Sequence, residues 1–275
     1  MKELKYNINY LLRKKELYIM IIFLLIIVIA NVYMVSSEAL FRMDDYKETI
    51  ETAEYLQIFS GYSNWILCPM FILGVPILSS LVFCDISWTE RKGKIDNLLS
   101  NRLDYKTNTI VRFFLAIFGT FLLVFLTLML DYLCLVYLFG SGAKIDYSGG
   151  AAFNIFTTIK FLKELFYVSP FLHSVVSILH ISLIFGLLTG LSYALSFYLK
   201  QKVLIYFTSP IIFLVLEVLL GSSIVLRNFS ILLQVELRIG NIWASLGIYA
   251  MLFISSILLI GLHINKKDVL LWNMC

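Results

Sequence analysis

The first candidates for chemistry are four polar side chains within long apolar runs: Asp131, His173, His180 and Glu217. Proteolysis inside a membrane needs paired aspartates, a Ser/His pair or zinc ligands at membrane depth. Asp131 has no matching aspartate in another run. His173 and His180 are seven residues apart on one helix face, with no Asp, Glu or Cys to complete a metal site. The sequence predicts neither a catalytic residue nor a metal site. Asp131, His180 and Glu217 are possible pathway residues; for Asp131 and the histidines, the alternative is a packing or interface role.

Cysteines and glycines supply little further chemistry. The cysteines lie at positions 68, 84, 134 and 275, and none forms a CxxC pair, so a disulfide framework is not expected. The glycine-rich segment 140–144 lacks the GxxxxGK[ST] spacing of a phosphate-binding loop. We therefore expect this chain to bind no nucleotide and no cofactor of its own.

The longest strongly polar stretch covers residues 85–112. Its basic residues are Arg91, Lys92, Lys94, Arg102, Lys106 and Arg112, and its acidic residues are Asp85, Glu90, Asp96 and Asp104. It separates two apolar runs. Short loops rich in Lys and Arg stay on the cytoplasmic side of a membrane, so we expect this loop to face the cytoplasm.

Apolar residues recur along the loop at helical spacing. Trp88, Ile95, Leu98, Leu99 and Leu103 fall on one side of a helix, and charged residues occupy the other. Such a helix can lie on lipid headgroups or sit in a groove of a partner protein. Both alternatives are compatible with this spacing.

The loop also carries a motif. Glu90, Arg91, Lys92 and Gly93, followed by Leu98, Leu99 and Ser100, resemble the signature of ABC-2 type permeases, which are the membrane subunits of a class of ABC transporters. This family usually has Thr after the Gly and Pro after the Ser, where this chain has Lys94 and Asn101.

The resemblance implies a cytoplasmic coupling helix between spans two and three that docks on a separate ATP-binding subunit. Its ATPase-coupling residues would be Trp88, Glu90, Arg91, Gly93, Ile95, Leu98, Leu99 and Ser100. ATP and Mg would bind to the partner subunit. A second permease copy, or a homologous permease, would complete the assembly.

The composition places the whole chain in a membrane. Of its 275 residues, 60% are hydrophobic and 15% are charged, and the mean hydropathy is +0.88, far above that of soluble domains. The net charge of +4 is spread along the chain. Because no single basic face results, nucleic acid is not an expected partner. The expected surroundings of the chain are membrane lipids.

The apolar runs predict an all-α membrane protein, with one transmembrane domain over residues 1–275. Six spans are expected, at about 17–36, 65–84, 110–139, 171–199, 203–221 and 242–264. Residues 1–16 are basic and amphipathic and predict an interfacial helix, with a simple anchoring segment as the alternative. Residues 222–241 are apolar but carry several charges, and they predict a re-entrant or interfacial segment between spans five and six.

Two features of the spans bear on packing. Ser182, Gly186, Gly190 and Ala194 recur every four residues and form a small-residue stripe that lets another helix approach closely. The stripe could serve the core of one chain or a seam between two copies. Pro76 removes a backbone donor inside span two, which creates either a hinge or a fixed packing angle.

The distribution of positive charge gives the orientation. With six spans, about two thirds of the Lys and Arg residues fall on the side of the central loop. This bias predicts that both termini are cytoplasmic and that the protein is a multi-pass protein of the plasma membrane.

The sequence supports two functions. The first is a transmembrane permease subunit of an ATP-driven ABC exporter that moves an amphipathic substrate, such as a peptide, antibiotic or lipid-like molecule; the ATPase activity would reside in the partner, so this chain is not itself an enzyme. The second is a stand-alone membrane immunity or assembly protein that binds a partner without transport.

Overall fold

The described part of the chain is helical. The computed structural model describes residues 2–42, 66–85, 88–89, 105–139, 162–221, 227–235 and 241–272. The helices are α1 (Lys2–Leu12), α2 (Lys15–Arg42), α3 (Leu67–Phe83), α4 (Tyr105–Phe139), α5 (Lys163–Val168), α6 (Pro170–Ser196), α7 (Lys202–Gly221), α8 (Ile231–Val235) and α9 (Ile242–Trp272). A 3₁₀ turn, Arg227–Phe229, precedes α8.

Within the described ranges, five helices are long and apolar enough to cross a membrane. The spanning segments are Lys15–Ser37, Tyr105–Leu138, Phe171–Ser196, Lys202–Leu220 and Ile242–Asn265. They coincide with five of the predicted spans to within a few residues. The prediction of a helical, multi-pass membrane protein is confirmed at this level.

The remaining predicted span corresponds to α3. This helix is apolar but has 17 residues, a length of about 25 Å against a hydrocarbon core of about 30 Å. It ends at Phe83, one residue before the cap Cys84, where the polar loop begins. The sixth crossing therefore stays a prediction.

Helix α6 forms the centre of the bundle. Two thirds (67%) of its spanning window is buried, against 28–33% for the other four candidate spans. It packs on α4, α9, α7 and α3. Ser169 caps its first turn by accepting a hydrogen bond from the Leu172 amide. Helix α2 packs outside α6, against α3 and α4, and the long helices around the centre present apolar side chains outward, as lipid-facing helices do.

Helix α1 splits its predicted apolar face between two environments. Leu11 is buried, whereas Leu4, Ile8 and Leu12 are exposed and form a line at spacing four. The buried side also carries the polar residue Asn7. The sequence pattern alone did not separate the protein-facing line from the outward-facing one. An interfacial position for the exposed line stays a prediction.

The predicted re-entrant region is partly described. The 3₁₀ turn and α8 lie between α7 and α9 and contact α7. Ser230, Ile231 and Val235 are buried, and Phe229 fills the space beside Gly247 of α9. Residues 227–235 are thus folded against the bundle.

Candidate functional site

The end of the bundle from which the polar loop leaves is called here the loop end; the opposite end is the far end. Most of the predicted ATPase-coupling residues lie outside the residues that the structure describes. These are Glu90, Arg91, Gly93, Ile95, Leu98, Leu99 and Ser100. Trp88 is described, and so are Asp85 and Tyr105, the residues at the two bases of the loop. These three define how the loop is held.

Asp85 joins three elements at the loop end. Its Oδ1 lies 3.2 Å from Nζ of Lys202, at the start of α7, and accepts a hydrogen bond of 3.2 Å from the Tyr206 hydroxyl. Its Oδ2 lies 3.9 Å from Nζ of Lys14, between α1 and α2. The Asp85 and Lys14 side chains are each only 9% exposed. Asp85, at the base of the loop, is therefore bonded both to the α1–α2 junction and to the start of α7.

Lys14 also closes the end of α3. Its ammonium donates a hydrogen bond of 2.9 Å to the carbonyl of Val82, one of the last carbonyls of the helix. A cation is favourable there because these carbonyls lack helical partners. Burial lowers the pKa of Lys14 below its ordinary value of 10.5, and the nearby Asp85 carboxylate opposes that shift.

Trp88 bonds to the turn between α6 and α7. Its indole Nε1–H donates a hydrogen bond of 3.2 Å to the Lys200 carbonyl. The Lys202 ammonium lies 5.7 Å from the centre of the Trp88 ring and 5.6 Å from that of Tyr206, within the range of cation–π attraction. The start of the loop is therefore anchored both by charge and by a backbone acceptor.

The other base of the loop is held by a histidine. The Tyr105 hydroxyl, in the first residue of α4, is 2.8 Å from Nε2 of His263 on α9. The imidazole stacks on Phe197, with ring centres 4.3 Å apart and an angle of 19° between planes. Phe197 immediately follows α6. Both bases of the loop thus reach the α6–α7 turn, residues 197–201.

Helix α1 is attached to the same end of α4. Arg112 Nε donates a hydrogen bond of 2.8 Å to Asn7 Oδ1, and Asn7 Nδ2 donates one of 2.8 Å to Asn108 Oδ1. All three residues are buried. This polar set fixes α1 on α4 beside the loop.

The small-residue stripe of α6 faces α4 in the same chain. Ser182, Gly186, Gly190 and Ala194 are all buried. A Cβ on Gly186 would lie 2.8 Å from the Ile117 carbonyl oxygen, and one on Gly190 would lie 2.7 Å from the Ile117 side chain. Glycine at these positions permits the close approach of the two helices.

Each possible pathway residue has a partner. Asp131 accepts hydrogen bonds from Asn31 on α2, and His180 Nδ1 bonds to the Tyr249 hydroxyl on α9. The Glu217 carboxylate accepts bonds of 2.7 and 2.9 Å from Ser230 Oγ and one of 3.1 Å from the Leu232 amide.

These contacts place Glu217 at the N-terminus of α8, where a carboxylate satisfies free amides. Over the described ranges, the structure brings together no group of three metal-ligating side chains. The three pathway candidates are separate from one another in these contacts and do not form one polar site.

Sequence reasoning missed several residues at the loop end. Lys14, Lys202, Tyr206 and His263 were assigned no contact, because their partners are distant in sequence. A signal for two of them exists: Lys14 and Lys202 each lie at the end of an apolar run, where a lysine can reach the end of a neighbouring helix.

The comparisons with known proteins leave the family open. No family model, curated protein or solved structure matches this chain. The case for a function therefore rests on the loop motif and on the geometry described above.

Proposed function

We propose that this chain is the transmembrane subunit of an ATP-driven exporter of the ABC-2 type. In this proposal it crosses the plasma membrane six times with both termini in the cytoplasm, and segment 222–241 is re-entrant. Separate subunits bind ATP and Mg. A second permease, identical or homologous, forms the other half of the transport path.

The observation that carries the proposal is the anchoring of the loop at both of its bases. Asp85 and Trp88 bond to the segments around Lys14 and Lys202, and Tyr105 bonds to His263. A partner that pushes on residues 90–100 would therefore act on α2, α3, α4, α7 and α9 together. A loop that only rested on lipid headgroups would not require bonds to so many helices.

The mechanism follows from this geometry. ATP binding closes the partner subunits, which displaces the coupling helix, and the anchored bases transmit the displacement to the helix ends. Helices packed at close range, such as α4 and α6, shift as rigid bodies. The partner must bind the two states of the bundle with different affinities, because a ligand of equal affinity shifts no equilibrium.

The described spanning helices present mainly apolar surfaces. Most of their buried polar residues are Ser and Thr, while the carboxylate of Asp131 and the imidazole of His180 are bonded to Asn31 and Tyr249. This favours an amphipathic cargo, such as a peptide, an antibiotic or a lipid-like molecule, over a small ion of high charge.

Affinity purification from native membranes tests the proposal. The tagged chain is compared with a variant in which Glu90, Leu98 and Leu99 are all changed to Ala, and with Asn101→Ala as a matched loop control. We expect an ATP-hydrolysing protein to co-purify with the wild type and the control but not with the triple variant.

If no ATPase accompanies the wild type in mild detergent, the exporter proposal fails. The stand-alone immunity or assembly protein is then the better hypothesis, and the proteins that do co-purify identify its target.

A further inference from the structure

The contact between α2 and α4 contains a buried acid–amide pair. Asn31 Nδ2 is 3.0 Å from Oδ1 and 3.0 Å from Oδ2 of Asp131. Asn31 is 0% exposed and Asp131 is 3% exposed. Asp131 lies about 28 Å along α4 from Arg112, which is on the loop-end side. The pair is therefore in the far-end half of the bundle, closed off from solvent.

The pair has an unsatisfied acceptor. Asn31 Oδ1 is buried and accepts no hydrogen bond from the residues that the structure describes. An ionised Asp131 carboxylate cannot donate a hydrogen bond to Asn31 Oδ1, because a carboxylate only accepts hydrogen bonds. A protonated carboxyl has one O–H to donate. A rotation of the Asn31 amide then gives a cyclic pair, in which Nδ2–H donates to one Asp131 oxygen and the other Asp131 oxygen donates to Oδ1.

The surroundings offer no counter-charge within the described ranges. The titratable side chains of the far-end half on α4 and on the helices packed against it include Tyr33 on α2, Cys68 on α3, Cys134 on α4 and His173 on α6. Asp131 accepts two hydrogen bonds from Asn31, and none of these four residues supplies a charge to it. A buried carboxylate without a cation is strongly disfavoured in an apolar medium.

We propose that Asp131 and Asn31 form a proton-binding site at the α2–α4 contact. Asp131 holds a proton while the two helices are packed. When they separate and water enters, the O–H bond breaks, the proton passes to water and the carboxylate is hydrated. Separation of α2 from α4 then releases one proton, so that low pH favours the packed state. This inference does not depend on the exporter proposal.

Infrared spectroscopy of the full chain in lipid nanodiscs tests the site. At about pH 7, an unperturbed aspartate is ionised, so a protonated-carboxyl C=O band would report a buried acid. We expect this band in the wild type, its loss in Asp131→Asn and its retention in Glu217→Gln. In Asn31→Ala the band should persist and move to higher frequency, because the carbonyl loses the amide donor.

The absence of the band from the wild type at this pH would overturn the proposal, as would a band that Asp131→Asn leaves unchanged. If Asp131→Asn does not fold, the frequency shift in Asn31→Ala decides whether the band belongs to this pair.

The coupling between proton binding and folding gives a second readout. A proton bound more tightly in the packed state than in the unfolded one means that wild-type stability falls, relative to Asp131→Asn, as the pH rises above about 4, the pKa of an aspartate in an unfolded chain; an equal pH dependence in the two proteins would refute the coupling.

Discussion

Lys202 and Asp85 form an ion pair of 3.2 Å between the first residue of α7 and the residue at the base of the polar loop. Lys14 lies 3.9 Å from the other oxygen of the same carboxylate. One acid thus connects the α1–α2 junction, the end of α3 and the start of α7. Lys14 and Lys202 are 71 and 117 residues from Asp85 in the sequence. Because whole apolar helices lie between them, this junction depends on the tertiary fold.

Substitution of Asp85 should destabilise this junction. Asp85→Asn leaves the buried Lys14 ammonium without its counter-charge, whereas Lys202 is 42% exposed and remains hydrated. We expect a loss of roughly 1–3 kcal/mol in the free energy of unfolding, the range for a buried group left unsatisfied. The unfolding midpoint in mild detergent measures it. Lys200→Met serves as the control, because Lys200 contacts Trp88 through its backbone carbonyl.

In the same assay, Lys14→Met added to Asp85→Asn should recover part of the loss, since the uncompensated cation is then removed. A double variant as unstable as the sum of the two single variants would show that the two residues act independently.

The buried Lys14 should also make stability depend on alkaline pH. Its folded pKa is lowered below 10.5, so the unfolded chain binds more protons than the folded one between the two pKa values. Stability therefore rises with pH in this window. We expect the wild-type midpoint to increase relative to that of Lys14→Met as the pH approaches the unfolded value. Parallel curves for the two proteins would disagree with the lowered pKa of Lys14.

The close contact of α6 with α4 should not tolerate a methyl group. In Gly186→Ala, the new Cβ would lie 2.8 Å from the Ile117 carbonyl oxygen, a backbone atom. We expect a destabilisation of about 1–3 kcal/mol from overpacking. Gly261→Ala is the matched control, because a Cβ there has no heavy atom within 4 Å. Equal thermal midpoints for the two variants would mean that the contact is looser than described.

Glu217 should hold α8 in place. Glu217→Ala removes the acceptor of the Leu232 amide and of the Ser230 hydroxyl. We expect a local loss of about 1 kcal/mol, the usual effect of losing a helix cap. Hydrogen–deuterium exchange should become severalfold faster in residues 227–235 and stay unchanged in α6. The control is Glu164→Ala, at an exposed acid in the first turn of α5; similar exchange in both variants would remove the capping role.

Hydrophobic run length was sufficient to predict the five long apolar helices. The predicted spans at 17–36 and 242–264 match Lys15–Ser37 and Ile242–Asn265, because a run of about 20 apolar residues has few alternatives in lipid. The stripe from Ser182 to Ala194 was also visible in the sequence, although its partner helix was not: periodicity identifies a face and not what packs against it.

The polar contacts could not be predicted in this way. Asn31 and Asp131 are 100 residues apart, and the partners at the loop end are similarly distant in sequence, for example Asn7 and Asn108, which are 101 residues apart. Such pairs depend on the order in which the helices surround α6. Charge patterning predicts a cytoplasmic side for the loop but not the anchors at its bases, since an ion pair leaves no periodic trace in a sequence.

The most direct test of the account is whether ATP moves this bundle through its loop. Spin labels replace Tyr137 and Val218, which are exposed near the far ends of α4 and α7, and their separation is measured in the purified complex with and without ATP and vanadate. The account predicts that trapping changes the distance in the otherwise native chain. It predicts a smaller change when Trp88→Phe and Tyr105→Phe each remove one side-chain hydrogen bond at a loop base while ATPase binding persists. The same distance with and without ATP in the native chain would contradict the account.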